Sequence, residues 1–293
     1  MTSELIIKNL IGGALTGLVY GLSALGLSVI FGVIRIVNFA HGELMVVGMY
    51  FALVLFKTAG IDPLLAVPIA AAMLFAVGYM LQHFVIRRVA HLAEHLQFLL
   101  LAAIAIVLIA LCLLGFGPDA QDITTELPYG LSSYAIGAIT IDTPKVYAAL
   151  VALVVTSMLL AFFRFSAMGK AIRACADNRL GAKVVGLDVD RLYAFTFGIG
   201  AACLGAAGCV LLPTVNGVQP NLGPEYTLIG FVIVIVGGMG SLGGALLGGV
   251  MIGLSEAVAG TLLQPSLKSA FSFALLILVL LIRPRGLLGK TAR

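Results

Sequence analysis

Chemistry has few places to occur in this sequence. Strongly polar side chains near or inside its apolar runs gather at three spots. Asn38, His41 and Glu43 share the run Asn38-Phe39-Ala40-His41-Gly42-Glu43, Glu256 follows Ser255, and Gln219, Asn221 and Glu225 precede a later apolar run. If these runs cross a bilayer, an ionised group at mid-depth costs about 2.5–3.5 kcal/mol and needs a partner, cavity water or an interfacial depth. The 38–43 cluster has the make-up of a helix start, with Asn38 as a cap, Glu43 where the helix dipole favours an acid, and Gly42 permitting a sharp backbone. Two readings follow: an interfacial cap at a membrane edge, or a broken helix whose freed backbone groups line a path. His41 or Glu256 in a proton relay is a third use. Glu256 reads as facing the bundle, hydrogen-bonded to a neighbour or touching a solute.

Other chemistries lack their parts. One His and one Glu two residues apart are too few for a metal, so no metal site is expected. Cys112, Cys175, Cys203 and Cys209 form no CxxC pair and read as small apolar packing residues. Gly238, Gly240 and Gly243 satisfy GxGxxG, but no βαβ pattern surrounds them. Gly289-Lys290-Thr291 resembles the end of a phosphate-binding loop, yet Pro284 stands where its upstream glycine belongs. No nucleophile–base spacing suggests an enzyme.

The elements that must position these groups follow from composition. Of 293 residues, 61% are apolar and 10% charged, and the mean hydropathy is +1.15. Soluble domains are about 25% charged. Long unbroken apolar runs mean spanning helices, not the alternation of a barrel strand. The runs predict an all-α polytopic membrane protein, a single transmembrane domain over 1–293, with spans near 10–34, 39–56, 64–86, 96–116, 144–163, 192–212, 225–240, 242–260 and 268–282. Nine is the expected number, within a range of eight to ten. Residues 1–9 lack the basic start of a cleavable signal peptide.

Charge then sorts the loops. Nine spans put Arg35, Arg87, Arg88, the basic residues of 164–191 and those of 283–293 on one side. The other side receives Lys8, Lys57, Lys145 and Lys268 with most of the acids. The positive-inside rule makes the first side cytoplasmic, the N-terminus outside and the C-terminus inside. The outer loop 117–143 is long and acidic, and the inner loop 164–191 is long and basic.

Gly13, Gly17 and Gly21 form one four-residue glycine ladder, and Gly240, Gly244 and Gly248 form another with Gly249 and Gly253 beside it. Such ladders let a neighbouring backbone approach closely, within the chain, at a subunit interface or along a path. In the inner loop, a helix is expected over 168–176 and a second over 178–185, with Asp177 as its cap and Gly186 at C′, and with Asp188 or Asp190 capping the next span. Two capped helices lying under the membrane make a rigid foot. They would rest on lipid or meet a partner.

Four stretches together resemble the permease subunits of branched-chain amino acid (Liv-type) ABC importers: Asn38 to Glu43, Ser166 to Arg191, Gly237 to Ala245, and Phe273 to Gly289 with Arg283-Pro284-Arg285-Gly286. The resemblance implies an ABC importer permease fold with a cytoplasmic coupling helix, in the bacterial inner membrane. It implies a homologous permease partner, two cytoplasmic ATPase subunits and a periplasmic solute-binding protein. Membrane lipid surrounds the assembly and no nucleic acid takes part. No cofactor is expected in this chain, because ATP is bound by the separate ATPase subunits. The coupling role falls on Arg173, Ala174, Asp177 and Gly186. Ala174-Cys175-Ala176 departs from the Glu-Ala-Ala common in the wider permease pattern. Transport would proceed by alternating access, and the sequence does not select the solute. An ion- or proton-coupled carrier of small polar solutes, using His41, Glu43 or Glu256, is the alternative.

Overall fold

A computed structural model describes residues 3–90, 92–137, 139–262 and 268–289. Lys290, Thr291 and Arg293, which figured in the charge and motif readings, lie outside the described residues. The described chain is helical apart from its loops and one hairpin. Helix α1 covers Ser3–Ile34, α2 His41–Ala59 and α3 Val67–Met80. A π-helical stretch, Leu81–Ile86, leads from α3 into the short α4, Arg87–Val89. Then come α5 (Glu94–Phe116), α6 (Thr143–Phe165), α7 (Ala167–Asp177), α8 (Arg179–Val184), α9 (Val189–Leu211), α10 (Gly223–Gly237), α11 (Leu242–Leu262) and α12 (Lys268–Ile282). Eight of the helical segments are long and apolar enough to cross a membrane, and α12 is a shorter apolar helix. The nine apolar segments follow the expected spans to within about three residues, except that α1 begins at Ser3 and not near residue 10.

The packing is organised around α9. Nearly all its residues are buried, and its small ones admit other backbones. A Cβ on Gly205 would lie 2.6 Å from the Ala70 carbonyl of α3, and one on Gly208 2.6 Å from the Met45 carbonyl of α2. Gly26 of α1 presses in the same way on the Gly200 carbonyl. At the periphery, α5 presents Ile106, Val107, Leu111 and Leu114 outward, Leu114 being 85% exposed. Side chains of this kind in such numbers require an apolar solvent.

The two glycine ladders are used unequally. Gly13 and Gly17 face the Gly253 and Gly249 carbonyls of α11 at 2.5 and 2.6 Å from their would-be Cβ atoms, and Gly21 meets Leu246. Gly244 and Gly248 lie on another face of α11 and pack on Gly237 and Ile233 of α10, while Gly240 meets Gly32 of α1. The second ladder is therefore split between two neighbours, and Gly249 and Gly253 are the residues that pair with α1.

The outer loop contains a hairpin that the sequence reading did not anticipate. Strands β1 (Ser133–Ile136) and β2 (Ile139–Asp142) pair antiparallel, Tyr134 opposite Ile141. The loop is fastened to the helices: Tyr129 donates to Asp62 Oδ1 at 2.8 Å, and Lys57 Nζ donates to Gln121 at 2.9 Å. Burial and the bond to Asp62 push the Tyr129 phenol up from its ordinary range. All four cysteines are free and buried.

Candidate functional site

The foot is built from loop 164–191. Ser166 caps α7, its hydroxyl accepting from Gly169 N at 2.9 Å. Gly169, Ile172 and Cys175 point from α7 into the bundle, and a Cβ on Gly169 would meet the Phe162 carbonyl at 2.5 Å. Ile172 and Cys175 join Val29, Phe163, Val189 and Leu192 in one cluster, so the foot is packed against α1, α6 and α9. Burial pushes the Cys175 thiol up, which keeps it protonated.

Asn178, not Asp177, caps α8: its Oδ1 accepts from Gly181 N at 2.8 Å, and Asp177 is the last residue of α7. Asn178 has the extended backbone (φ −149°) that a cap requires. Gly186, with φ +84°, closes α8 in a Schellman motif, with Gly186 N donating to Lys183 O and Leu187 N to Ala182 O, both at 3.0 Å. Asp188 then caps α9 by accepting from Arg191 N at 3.0 Å. Arg173, Ala174, Asp177 and Gly186 are all exposed. Beside them α8 and its end present an apolar ridge that sequence reasoning missed: Leu180, Val184 and Val185 are 76%, 87% and 75% exposed. Two contacts tie the foot's neighbourhood together. Arg87 pairs with Asp190 at 2.8 Å, and the Arg179 guanidinium lies 5.5 Å from the Tyr193 ring centre.

The 38–43 cluster is the connection between α1 and α2, not a break inside a span. Arg35 leaves α1 with φ +61°, and α2 begins at His41. Asn38 does not cap α2; its Oδ1 accepts from Ala40 N at 3.1 Å, and Ala40 holds the cap position without a side-chain bond. The partner comes from α10. Thr227 Oγ1 accepts from Gly42 N at 2.8 Å and lies 3.1 Å from Glu43 Oε2, to which it donates. Gly42 permits this approach, since a Cβ there would meet Thr227 N at 2.6 Å. His41 is fully buried beside Gly230, and Phe39 packs on Phe98 and Phe231.

Asn38, His41 and Glu43 are thus brought together, and Glu256 is not with them. It lies six residues from the end of α11, about 9 Å along the helix, and accepts from Ser272 Oγ of α12 at 3.4 Å. It lines a cavity of about 630 Å³ between α1, α6 and α11, bounded by the hairpin. The remaining two of the four stretches also meet. Leu287 N and Leu288 N donate to the Val236 and Gly237 carbonyls at 2.9 Å, satisfying the end of α10. Arg35, Arg87, the foot and the 283–289 segment therefore gather at one end of the bundle, and the cavity and hairpin lie at the other.

These features define a polytopic helical membrane protein with a two-helix foot at its basic end. A family model described as "Branched-chain amino acid transport system / permease component" matches residues 9–280. The high-affinity branched-chain amino acid transport system permease protein LivH of Escherichia coli K12 is 31% identical over 298 residues, covering 97% of this chain and 96% of that protein. BraD of Pseudomonas aeruginosa, a permease protein of the same description, is 32% identical, with 97% and 96% covered. PsaBC from Streptococcus pneumoniae, solved with a Fab, shares the fold at TM-score 0.50 and 14% identity, over 97% of both chains. The chain belongs to the Liv-type ABC permease family, a family of transmembrane transport permeases.

Proposed function

We propose that this chain is the membrane-spanning subunit of an ATP-driven importer of branched-chain or related amino acids. The observation that carries the reading is the foot. Its buried face is packed on α1, α6 and α9, while Arg173, Ala174, Asp177, Gly186 and the ridge Leu180, Val184 and Val185 face away from the bundle. An apolar ridge on a capped helix, flanked by opposite charges, suits a groove on a separate cytoplasmic ATPase. ATP is bound there, not in this chain. Movement of the foot would pass through Gly169 and Cys175 into α6 and α9, and alternating access would follow.

The same reading assigns the rest of the assembly. A homologous permease pairs with this chain, two ATPases dock at the basic end, and a periplasmic binding protein delivers the solute at the hairpin end. The membrane is the bacterial inner membrane, with the N-terminus outside and the C-terminus cytoplasmic, a reading that the charge bias supports. Gly42 and Glu43 hold α2 to α10 through Thr227, Asn38 and His41 lie beside them at the cytoplasmic edge of the path, and Glu256 lines its outer part. The ion-coupled carrier has less support, because Glu43 is engaged by Thr227. The decisive experiment reconstitutes the complex in liposomes with binding protein and a labelled amino acid. Uptake is expected only with ATP hydrolysis, and uptake without it refutes the proposal.

A further inference from the structure

The outer cavity holds charged groups for which coupling to an ATPase provides no use. Lys8 of α1, Lys145 of α6 and Lys268 of α12 border it, together with Asp142 and Glu256. Asp142 and Lys145 engage each other at 2.7 Å. Glu256 is held loosely: the Ser272 hydroxyl lies 3.4 Å away, equally placed to donate to the Lys268 carbonyl, and the Tyr20 hydroxyl of α1 also approaches it. Among the described residues, neither Lys8 nor Lys268 has a carboxylate within ion-pairing distance. One acid and two amines, none in a close ion pair, therefore face the same space, with Lys268 near enough to Glu256 to act on its charge.

The walls are shaped to leave that space open. On α1 the cavity runs from Lys8 to Tyr20, about 18 Å along the helix. Gly12 and Gly13 form part of its wall, as does Gly260 of α11, where a Cβ would meet Lys268 Cε at 3.1 Å. The aliphatic arm of Lys268 therefore lies over the end of α11. Leu131, Ile141 and Val215 add an apolar wall beside the charged one. Binding pockets for small molecules run from about 300 to 1,000 Å³, so 630 Å³ admits one amino acid with water.

We infer that this cavity binds the zwitterionic backbone of a free amino acid, with Glu256 accepting from the ammonium group and Lys8 and Lys268 donating to the carboxylate. The inference rests on the amino acid transport reading and gives it a location in this chain. A carboxylate within a helix bundle is costly unless a cation sits beside it. Lys268 supplies part of that charge from beyond ion-pairing distance, an ammonium ligand completes it, and the lysines then select the ligand that also carries an anion. A phosphatidylethanolamine headgroup joins an ammonium to a phosphate and presents the same pair of charges, so the experiment must separate the two sources.

The test uses the purified full-length chain in nanodiscs of phosphatidylglycerol, which has no ammonium group. Tritiated L-leucine, L-alanine and L-phenylalanine are the probes. At least one should bind saturably, and neither 3-methylbutylamine nor 4-methylpentanoate, each with one charge, should displace it at tenfold excess. Glu256→Gln should weaken binding at least tenfold at an unchanged unfolding temperature. Lys8→Gln, at the outer end of α1, should weaken it as well, and Asp119→Asn, outside the cavity, should leave it within twofold. Binding of none of the three probes, or equal binding by wild type and Glu256→Gln, overturns the assignment. So does Glu256-dependent loss of binding when phosphatidylethanolamine is added, which makes the cavity a lipid site. ATP-driven uptake that survives Glu256→Gln overturns the cavity assignment alone. Amino acid binding with no ATP-driven uptake by the assembled wild type refutes the transport reading and supports the cavity.

Discussion

Replacing Gly17 by alanine tests the α1–α11 seam directly. The added methyl would stand 2.6 Å from the Gly249 carbonyl oxygen and 2.7 Å from the Val250 Cα. Both are backbone atoms, so no side chain can rotate away. Ordinary carbon contacts need about 3.5–4.0 Å, so the helices must part by roughly 1 Å. A gap of that size forfeits about a quarter to a half of each neighbouring dispersion contact. Overpacking of this kind costs about 1–3 kcal/mol. Gly115→Ala is the matched control. It lies in α5, and a Cβ there meets nothing within 4 Å. Relief of backbone entropy should make it neutral or stabilising by about 0.4–1 kcal/mol. The assay is thermal unfolding of the purified chain in one detergent, read by a thiol-reactive dye at the buried cysteines. Gly17→Ala should unfold several degrees below wild type and Gly115→Ala at or above it. Equal unfolding temperatures for the two variants would refute the claim that close backbone contact holds α1 to α11.

Three further outcomes follow from named contacts. Val184→Asp with Val185→Asp should abolish amino acid-stimulated ATP hydrolysis in the assembled importer without changing membrane insertion; wild-type stimulation would show that the ridge docks nothing. Asn178→Ala removes the α8 cap and should destabilise that helix by about 1 kcal/mol, seen as faster amide exchange at Gly181, while Asp177→Ala should not alter that amide. Thr227→Val leaves the Gly42 amide and Glu43 without their partner and should lower stability by about 1–3 kcal/mol; a neutral result would mean that water replaces the hydroxyl.

The spans were legible because bilayer thickness fixes helix length and hydropathy marks it: α5 was expected over 96–116 and occupies Glu94–Phe116. Gly186 was legible because few residues other than glycine adopt a positive φ there. The cap of α8 was harder, since Asp177 and Asn178 are adjacent and both types cap helices. Only the backbone angle chooses between them, and that angle depends on where α7 packs. Thr227 was invisible as a partner of Gly42, because the two residues are 185 positions apart and a threonine in an apolar helix carries no mark of its contact. The ridge at Leu180, Val184 and Val185 was missed for the opposite reason: aliphatic residues read as interior, and sequence does not reveal which of them face away from every neighbour. The hairpin at 133–142 was too short for its alternation to stand out.

The seam between α1 and α11 also has a consequence for how the chain is made. Gly17 leaves the ribosome more than two hundred residues before Gly249, its partner in the finished bundle. At about 5–20 residues per second, the first helix waits on the order of 10–50 s for the second. Throughout that interval its row of small residues lies against lipid tails or the insertion machinery. In a nascent chain halted before α11, a photo-crosslinker at Gly17 should therefore capture lipid or the insertion machinery, and release of the full chain should replace those adducts with a link to α11.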